Sequence, residues 1–299
     1  MVYFMQDSER FKDWQFRYQN IYGVRRSEKN KGRFLSALLA DISEIRNDVQ
    51  VIEYDRSKKN VARNVYVGDI EKADRIICTY YDTPIQNIGA YALFNRKEQE
   101  KRTTRFIVFS SLLLILLGVL GTLFFINKGY ASAGVLSVPF LMMVLIYGVY
   151  FYVLGKATKG FSNRKTLIRN TSSILTLLSL LKDVKGTKTA FAFIDEGSLG
   201  SNGLEALRAQ IRPHAQIFLL DSVGADAPLV FMGKGIPKEM LAKLNIEHER
   251  TTGEMNYLFA ANVQNKEGKN NFYLDKTLLS NKTINMDNIQ KVVTLFKSL

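Results

Sequence analysis

The chain has 299 residues, of which 46% are hydrophobic and 23% charged, the average of a globular protein with length for one large or two small domains. The single cysteine, Cys78, excludes an internal disulfide and suits a reducing compartment. A net charge of +13 suits an anionic membrane surface. Nucleic acid is not expected as a partner, because no helix-turn-helix, zinc or base-stacking motif accompanies the charge.

Residues 1–20 mix charges with aromatics throughout, so no signal peptide is expected there. Apolar Phe34, Leu35, Leu38, Leu39, Ile42 and Ile45 fall on one face and predict a helix over 31–46. Strands are predicted over 49–54, 64–67 and 75–80, the last with Cys78 as a small core residue.

Two uncharged runs follow, at 106–126 and 133–154. Each exceeds the roughly 18 apolar residues that mark a transmembrane helix and matches the about 20 needed to cross the hydrocarbon of a bilayer. The short polar turn 127–132 makes them a hairpin, with Pro139 and several glycines inside the spans and Tyr147, Tyr150 and Tyr152 at an interfacial position. Arg96, Lys97, Lys101, Arg102 and Arg105 precede the hairpin, and Lys156, Lys159, Arg164, Lys165 and Arg169 follow it. The turn holds Lys128 alone, so the positive-inside rule predicts a multi-pass protein of the cell membrane with both termini cytoplasmic. Gly118, Gly121, Gly134 and Gly148 offer close approach to a partner helix.

Beyond the hairpin, helices are predicted over 172–181, 199–210 and 287–296, and strands over 189–194, 216–220, 229–232 and 257–263. The phrase at 185–189 lacks phosphate-loop spacing and reads as a turn entering a strand. The pattern is α/β: a mostly parallel, mixed sheet with helices on both faces, interrupted by a two-helix transmembrane hairpin. Strands on both sides of the interruption imply one cytoplasmic domain in two parts, 1–100 and 161–299, with the hairpin segment over 101–160.

Sites in such sheets form beyond the carboxyl ends of strands. Acidic residues occupy that position three times: Asp82, the Asp195–Glu196 pair and Asp221. Each is open to two readings, a metal ligand or acid/base on one side and a capping acid in a loop on the other. The two histidines, His214 before a strand and His248 in a charged loop, read as solvated loop residues.

Several segments in order resemble metallopeptidase family twenty-eight, the zinc aminopeptidases and their non-peptidase relatives. The strand pair from Asn64-Val65-Tyr66-Val67-Gly68 to Tyr80-Tyr81-Asp82-Thr83 resembles the one ending in His-x-Asp. Arg169-Asn170-Thr171-Ser172-Ser173 resembles the Asp-Asn-x-Ser-Gly helix start, and Asp195-Glu196-Gly197-Ser198 resembles the Glu-Glu segment. Asp221-Ser222-Val223-Gly224 resembles the later Asp-x-x-Gly, and Asn271 to Asp275 the His-x-x-x-Asp ending.

The resemblance implies a zinc-exopeptidase-like fold and, in active members, two zinc ions held by two histidines, a bridging aspartate, a glutamate and another aspartate, with a further glutamate as general base. Here the first histidine position is Tyr80, the bridging aspartate is Arg169 and the final histidine is Asn271. Arginine stays cationic and coordinates no metal, tyrosine is a poor zinc ligand at neutral pH, and asparagine is a weak neutral one. Aligning on Gly197 puts Ile194 and Asp195 over the two glutamates, whereas one deletion puts Asp195 and Glu196 there. No cofactor is expected, and Arg169 is expected to pair with Asp221, Asp195 or Asp82 in place of metal. Tyr80, Asp82, Arg169, Asp195, Glu196, Asp221 and Asn271 therefore form the expected vestigial site.

Three functional readings are open. The first is a catalytically inactive, membrane-anchored binding or scaffolding module with the bilayer and a membrane or cytoplasmic protein as partners. The others are a residual metal-dependent aminopeptidase and an accessory subunit of a transporter or export complex.

Overall fold

A computed structural model describes residues 2–56, 61–130, 134–184, 186, 188–198, 200–251, 253–266 and 268–299, with side chains of 2–8, 56, 96 and 266 left aside. The chain divides into two compact units, one of Met1–Pro84 with Arg164–Leu299, the other of Ile85–Asn163.

The first unit is built on an eight-stranded sheet. Its strands are β1 (Val49–Arg56), β2 (Val61–Val67), β3 (Arg75–Tyr80), β5 (Thr189–Ile194), β6 (Gln216–Asp221), β7 (Leu229–Met232), β8 (Glu247–Glu249) and β9 (Asn256–Ala260). They lie in the order β1-β2-β5-β3-β6-β9-β7-β8. The centre, β5-β3-β6-β9, is parallel, whereas β1 with β2, β2 with β5 and β7 with β9 are antiparallel. Every residue of β5 is buried, as a strand covered on both faces requires.

One face packs Tyr66, Ile76, Cys78, Ala190, Ala192 and Ile194 against Leu204 and Leu207 of α6 (Asn202–Arg208). Against the other lies α5 (Ser172–Asp183), in which Ile174, Leu175, Leu177, Leu178, Leu180 and Leu181 are all fully buried. Each such side chain contributes about 1.5–3 kcal/mol of transfer free energy. Helix α9 (Met286–Lys297) packs beside α5 through its buried stripe Ile289, Val292, Leu295 and Phe296.

At the amino end, α1 (Val2–Phe16) runs into a π-helical turn, Arg17–Ile21, and α2 (Glu28–Ser43) follows. Ser27 caps α2 by accepting from the Asn30 N–H, so the helix starts before the apolar pattern does. The sheet departs from sequence expectation at two places. The single strand expected over 257–263 is two, β9 and β10 (Asn262–Lys266): Ala261 still donates to Pro228 O at 3.1 Å, in register with the Leu229–Ala260 pair, but the proline has no N–H to return and the pairing ends there. The charged loop expected around His248 is edge strand β8, where the ring stacks on Phe231 and its Nε2 lies 3.2 Å from Gly233 O. Strand β10 turns back as β11 (Lys269–Leu274) in an antiparallel hairpin. Of the turn expected at 185–189, residues 185 and 187 lie outside the described set, as does Leu199 at the expected start of α6.

The second unit holds a two-residue strand, β4 (Tyr91–Ala92), and two long helices, α3 (Arg96–Asn127) and α4 (Val138–Thr158). Both are long and apolar enough to cross a membrane, and none of their most apolar stretch is buried in the fold. Helix α4 starts later than the apolar run: Ser137 caps it and Pro139 falls in the first turn, where its missing N–H costs no helical bond. Residues 131–133, which include the expected start of the second span, lie outside the described set.

Tyr147 and Tyr150 do not sit as an outward belt. They reach across to α3, donating to Gly118 O at 3.1 Å and Leu114 O at 3.2 Å, and Tyr147 also bonds Thr122. Gly118 makes room, because a Cβ there would meet the Tyr150 hydroxyl at 2.4 Å. A phenol in apolar surroundings needs an acceptor, and the bare backbone supplies one. Tyr152 does face outward, with the Lys156 ammonium 4.4 Å from its ring centre. Among the described residues, nothing within contact distance faces Gly121, Gly134 or Gly148.

Candidate functional site

Strands β3, β5 and β6 are adjacent and parallel, and Tyr80 pairs with Ile194, so their carboxyl ends lie side by side. The residues just past those ends are the acidic ones singled out in the sequence. Asp82 is 8% exposed and Asp195 1%.

Asp82 is held by backbone. Its Oδ1 accepts from Gly197 N at 2.9 Å and Ser198 N at 3.1 Å, and Ser198 N also donates to Oδ2 at 3.1 Å. Its main-chain oxygen accepts from Ser198 Oγ at 2.8 Å and Asn170 Nδ2 at 3.0 Å. Burial and the negative charge of Asp195 push the Asp82 carboxyl up to about 6, against the two N–H groups and the cation of Arg169. The loop can present both N–H groups because Glu196 adopts a left-handed conformation, φ 54°.

Asp195 is held by a cation from another element. Lys31 Nζ, on α2, lies 2.7 Å from its Oδ2, and the same ammonium lies 2.8 Å from Glu28. Glu196 N donates to Asp195 Oδ1 at 2.8 Å, and Asp195 N donates to Asn64 Oδ1 at 3.0 Å. Burial opposes the charged form of Lys31, but Asp195 and Glu28 outweigh it and raise the pKa.

A second cation, Arg25, is completely buried nearby. It donates to Tyr81 O at 2.6 Å, Tyr22 O at 3.0 Å and Thr171 Oγ1 at 3.1 Å, with its guanidinium 4.8 Å over Phe34. Burial lowers its pKa to about 10, with Asp82 opposing the shift, so it is still protonated at neutral pH.

The remaining expected residues divide. The Tyr80 ring lies flat against the turn, and a Cβ on Gly197 would fall 1.5 Å from it, so only glycine fits beneath. Glu196 accepts from Asn202 Nδ2 at 3.0 Å and from Tyr54 OH at 3.5 Å. Asp221 accepts from Ser222 Oγ at 2.7 Å, and Ser222 N donates to Arg169 O at 3.3 Å, which ties those two loops together. Asn271 stands apart: it is exposed on the β10–β11 hairpin, opposite Gln264.

Lys31 and Arg25 were not singled out in the sequence. Lys31 did carry a signal, since it lies three and four residues before Phe34 and Leu35, on the buried stripe of α2. A lysine on such a stripe must find an anion. Arg25 lies in no periodic element and carried none.

Zinc needs imidazole, carboxylate or thiolate groups converging at about 2.0–2.3 Å. Among the described residues no three such side chains converge. Asp195 is engaged by an ammonium, Asp82 by backbone N–H groups, and the Tyr80 ring covers Gly197. Asn170 Oδ1 and Ser173 Oγ are buried here without partners, but a neutral amide and a hydroxyl do not make a zinc set. The residues present do not fit a dinuclear zinc centre.

The architecture is nevertheless that of the zinc-dependent exopeptidases, aminopeptidases and glutaminyl cyclases. The glutaminyl cyclase of Porphyromonas gingivalis superposes with a TM-score of 0.53 at 12% identity, over 96% of this chain and 95% of that one. A Zn-dependent exopeptidase from Parabacteroides distasonis gives 0.51 at 11%, over 96% of both chains. A leucine aminopeptidase precursor from Bacteroides thetaiotaomicron gives 0.50 at 11%, over 95% and 94%. At such identity the likeness defines the fold alone. No family model matches the sequence, and no curated protein matches it.

Proposed function

We propose that this chain is a membrane-anchored, peptidase-fold protein that has exchanged its metal site for internal ion pairing and acts by binding a partner instead of hydrolysing one. The observation that carries this reading is the Lys31 ammonium, 2.7 Å from Asp195, with both side chains almost fully buried. An ammonium there repels a dication and neutralises the carboxylate that would hold it. Arg169, at the position of the bridging aspartate, adds a second repulsive charge. What remains is a degenerate member of the fold, with the segment between Asp82 and Arg164 serving as its anchor.

Helices α3 and α4 cross the bilayer as a hairpin, with both termini in the cytoplasm. Support comes from their exposed apolar surfaces and from Lys101, Arg102 and Arg105 on one side and Lys156, Lys159 and Arg164 on the other. The partner is a membrane or cytoplasmic protein.

Two experiments test this. Full-length protein, purified in mild detergent and supplied with zinc, cobalt or manganese, is expected to show neither aminopeptidase nor glutaminyl cyclase turnover. Stoichiometric zinc with metal-dependent turnover overturns the reading. For topology, Cys78 is buried and its thiol pKa raised by that burial, so an added cysteine reports alone. An impermeant maleimide on intact cells is expected to label Lys128→Cys but to label Ser298→Cys only after lysis; the reverse pattern overturns the orientation.

A further inference from the structure

On the side of the first unit where α1 ends, a cleft is lined by Gln19, Tyr22, Asn30, Arg33 and Arg164 over the backbone of Gly23. Among the described residues that line it, the two arginines are the only charged ones and none is acidic. Among the described residues neither Arg33 nor Arg164 makes an ion pair; Arg33 instead lies 6.0 Å from the Tyr22 ring. The floor is bare because Gly23 runs so close to the Gln19 carbonyl that a Cβ would fall 2.3 Å from its oxygen.

A helix carboxyl end normally repels anions through its free carbonyls. Here that repulsion is cancelled from below: buried Arg25 donates to Tyr18 O at 3.4 Å and to Tyr22 O at 3.0 Å. Two arginines thus line the cleft, and a third, buried one is bound to carbonyls of the helix end beside it. Guanidinium pairs flanked by amide side chains suit a phosphate oxyanion, which takes two forks and neutral donors together.

The source of the phosphate follows from the chain itself. Arg164 comes six residues after Thr158, the last residue of α4. Six residues span at most about 20 Å, so with α4 in a bilayer Arg164 is held within that distance of the point where the helix ends. We propose that this cleft binds the phosphate of an anionic phospholipid, fixing the first unit to the surface that its anchor enters. The proposal rests on the membrane reading above and adds a specific site to the general attraction of a +13 chain.

Both arginines are exposed, so Arg33→Gln with Arg164→Gln leaves the fold intact. Full-length protein in a neutral detergent is titrated with dioleoylphosphatidylglycerol, dioleoylphosphatidylcholine or inorganic phosphate, and retained adducts are counted by native mass spectrometry. The expected result is one saturable phosphatidylglycerol adduct, at least 10-fold weaker in the double variant, with phosphatidylcholine weaker still. Equal phosphatidylglycerol retention by the variant overturns the site. Phosphate alone binding as well as the lipid overturns the lipid as its ligand. Flotation of the same variant with phosphatidylcholine vesicles reads the anchor separately: a chain that fails to float has lost the membrane reading, whereas one that floats without retaining phosphatidylglycerol has lost only the cleft.

Discussion

Helices α4 and α5 are both strongly apolar, α4 through aliphatic and aromatic residues and α5 mainly through leucine, yet they are buried in opposite ways. In α5 nine residues are buried, from Ser172 to Leu181, because the sheet and α9 close over them. In α4 Ala157 alone is buried, and Leu145, Val149 and Phe151 are 72%, 66% and 61% exposed. Both helices hide hydroxyls: Tyr147 and Tyr150 turn to backbone carbonyls of α3, and Ser172, Ser173 and Thr176 of α5 lie buried with its leucines. A helix that hides hydroxyls and displays aliphatics is matched to lipid, where van der Waals packing and hydrogen bonds replace the hydrophobic effect. Neither apolar content nor the placing of hydroxyls separates the two helices; the exposure of their aliphatic side chains does.

The most severe way to break the buried unit is to remove its internal cation. Lys31→Met leaves Asp195 charged and unpaired in the interior, and a loss of about 3–5 kcal/mol is expected in denaturant unfolding. The paired change Lys31→Met with Asp195→Leu recovers most of it, because a buried pair offsets little beyond its own desolvation. Failure of the double variant to recover makes Lys31 a packing residue and not a counter-charge.

The contrast between helices is sharpened by matched truncations. Leu178→Ala is expected to cost about 2–5 kcal/mol, and Leu145→Ala less than about 0.5 kcal/mol, both read by thermal unfolding in detergent. Comparable losses would mean that α4 is packed against protein.

Proton linkage gives a third, smaller effect. Asp82 has a folded pKa of about 6 against 3.8 for the free carboxyl, so the folded state holds its proton more tightly between those values. Its contribution to stability is therefore greatest below about pH 4 and declines as pH rises to about 6, by roughly 2–3 kcal/mol in all. Unfolding midpoints across that window, compared between wild type and Asp82→Asn, isolate it: the decline is expected in the first and flattened in the second. A small loss is also expected from Tyr147→Phe or Tyr150→Phe, which should weaken the α3–α4 pair by about 0.6 kcal/mol, seen as earlier hairpin unfolding in a detergent titration.

Where periodicity and burial coincide, the sequence was legible. The strands over 75–80 and 189–194 match β3 and β5 because fully buried parallel strands are continuous apolar runs with sharp ends. The break at Ala261 was not legible, since the apolar pattern continues across it and the residue that ends the pairing, Pro228 with no N–H, lies on the opposing strand's approach. Strand β8 was missed because an edge strand pairs through backbone and tolerates a Glu-His-Glu sequence. At the site, Asp82, Asp195 and Asp221 were found because strand ends are visible in sequence, and parallel neighbours bring such ends together. Lys31 arrives from 164 residues away, a pairing that no local pattern encodes.

The parallel pairing of β3 with β5 also bears on how the molecule is made. The two are the central strands of the sheet, yet Tyr80 and Thr189 stand on opposite sides of both apolar helices in the chain. At about 5–20 residues per second, roughly 5–20 s of synthesis separate them. The first three strands must wait in an unfinished state while α3 and α4 emerge, and the sheet closes only once β5 arrives. Newborn chains stalled before Thr189 should therefore be protease-sensitive in the amino-terminal segment although both apolar helices are complete, because the pairing that closes the sheet is non-local.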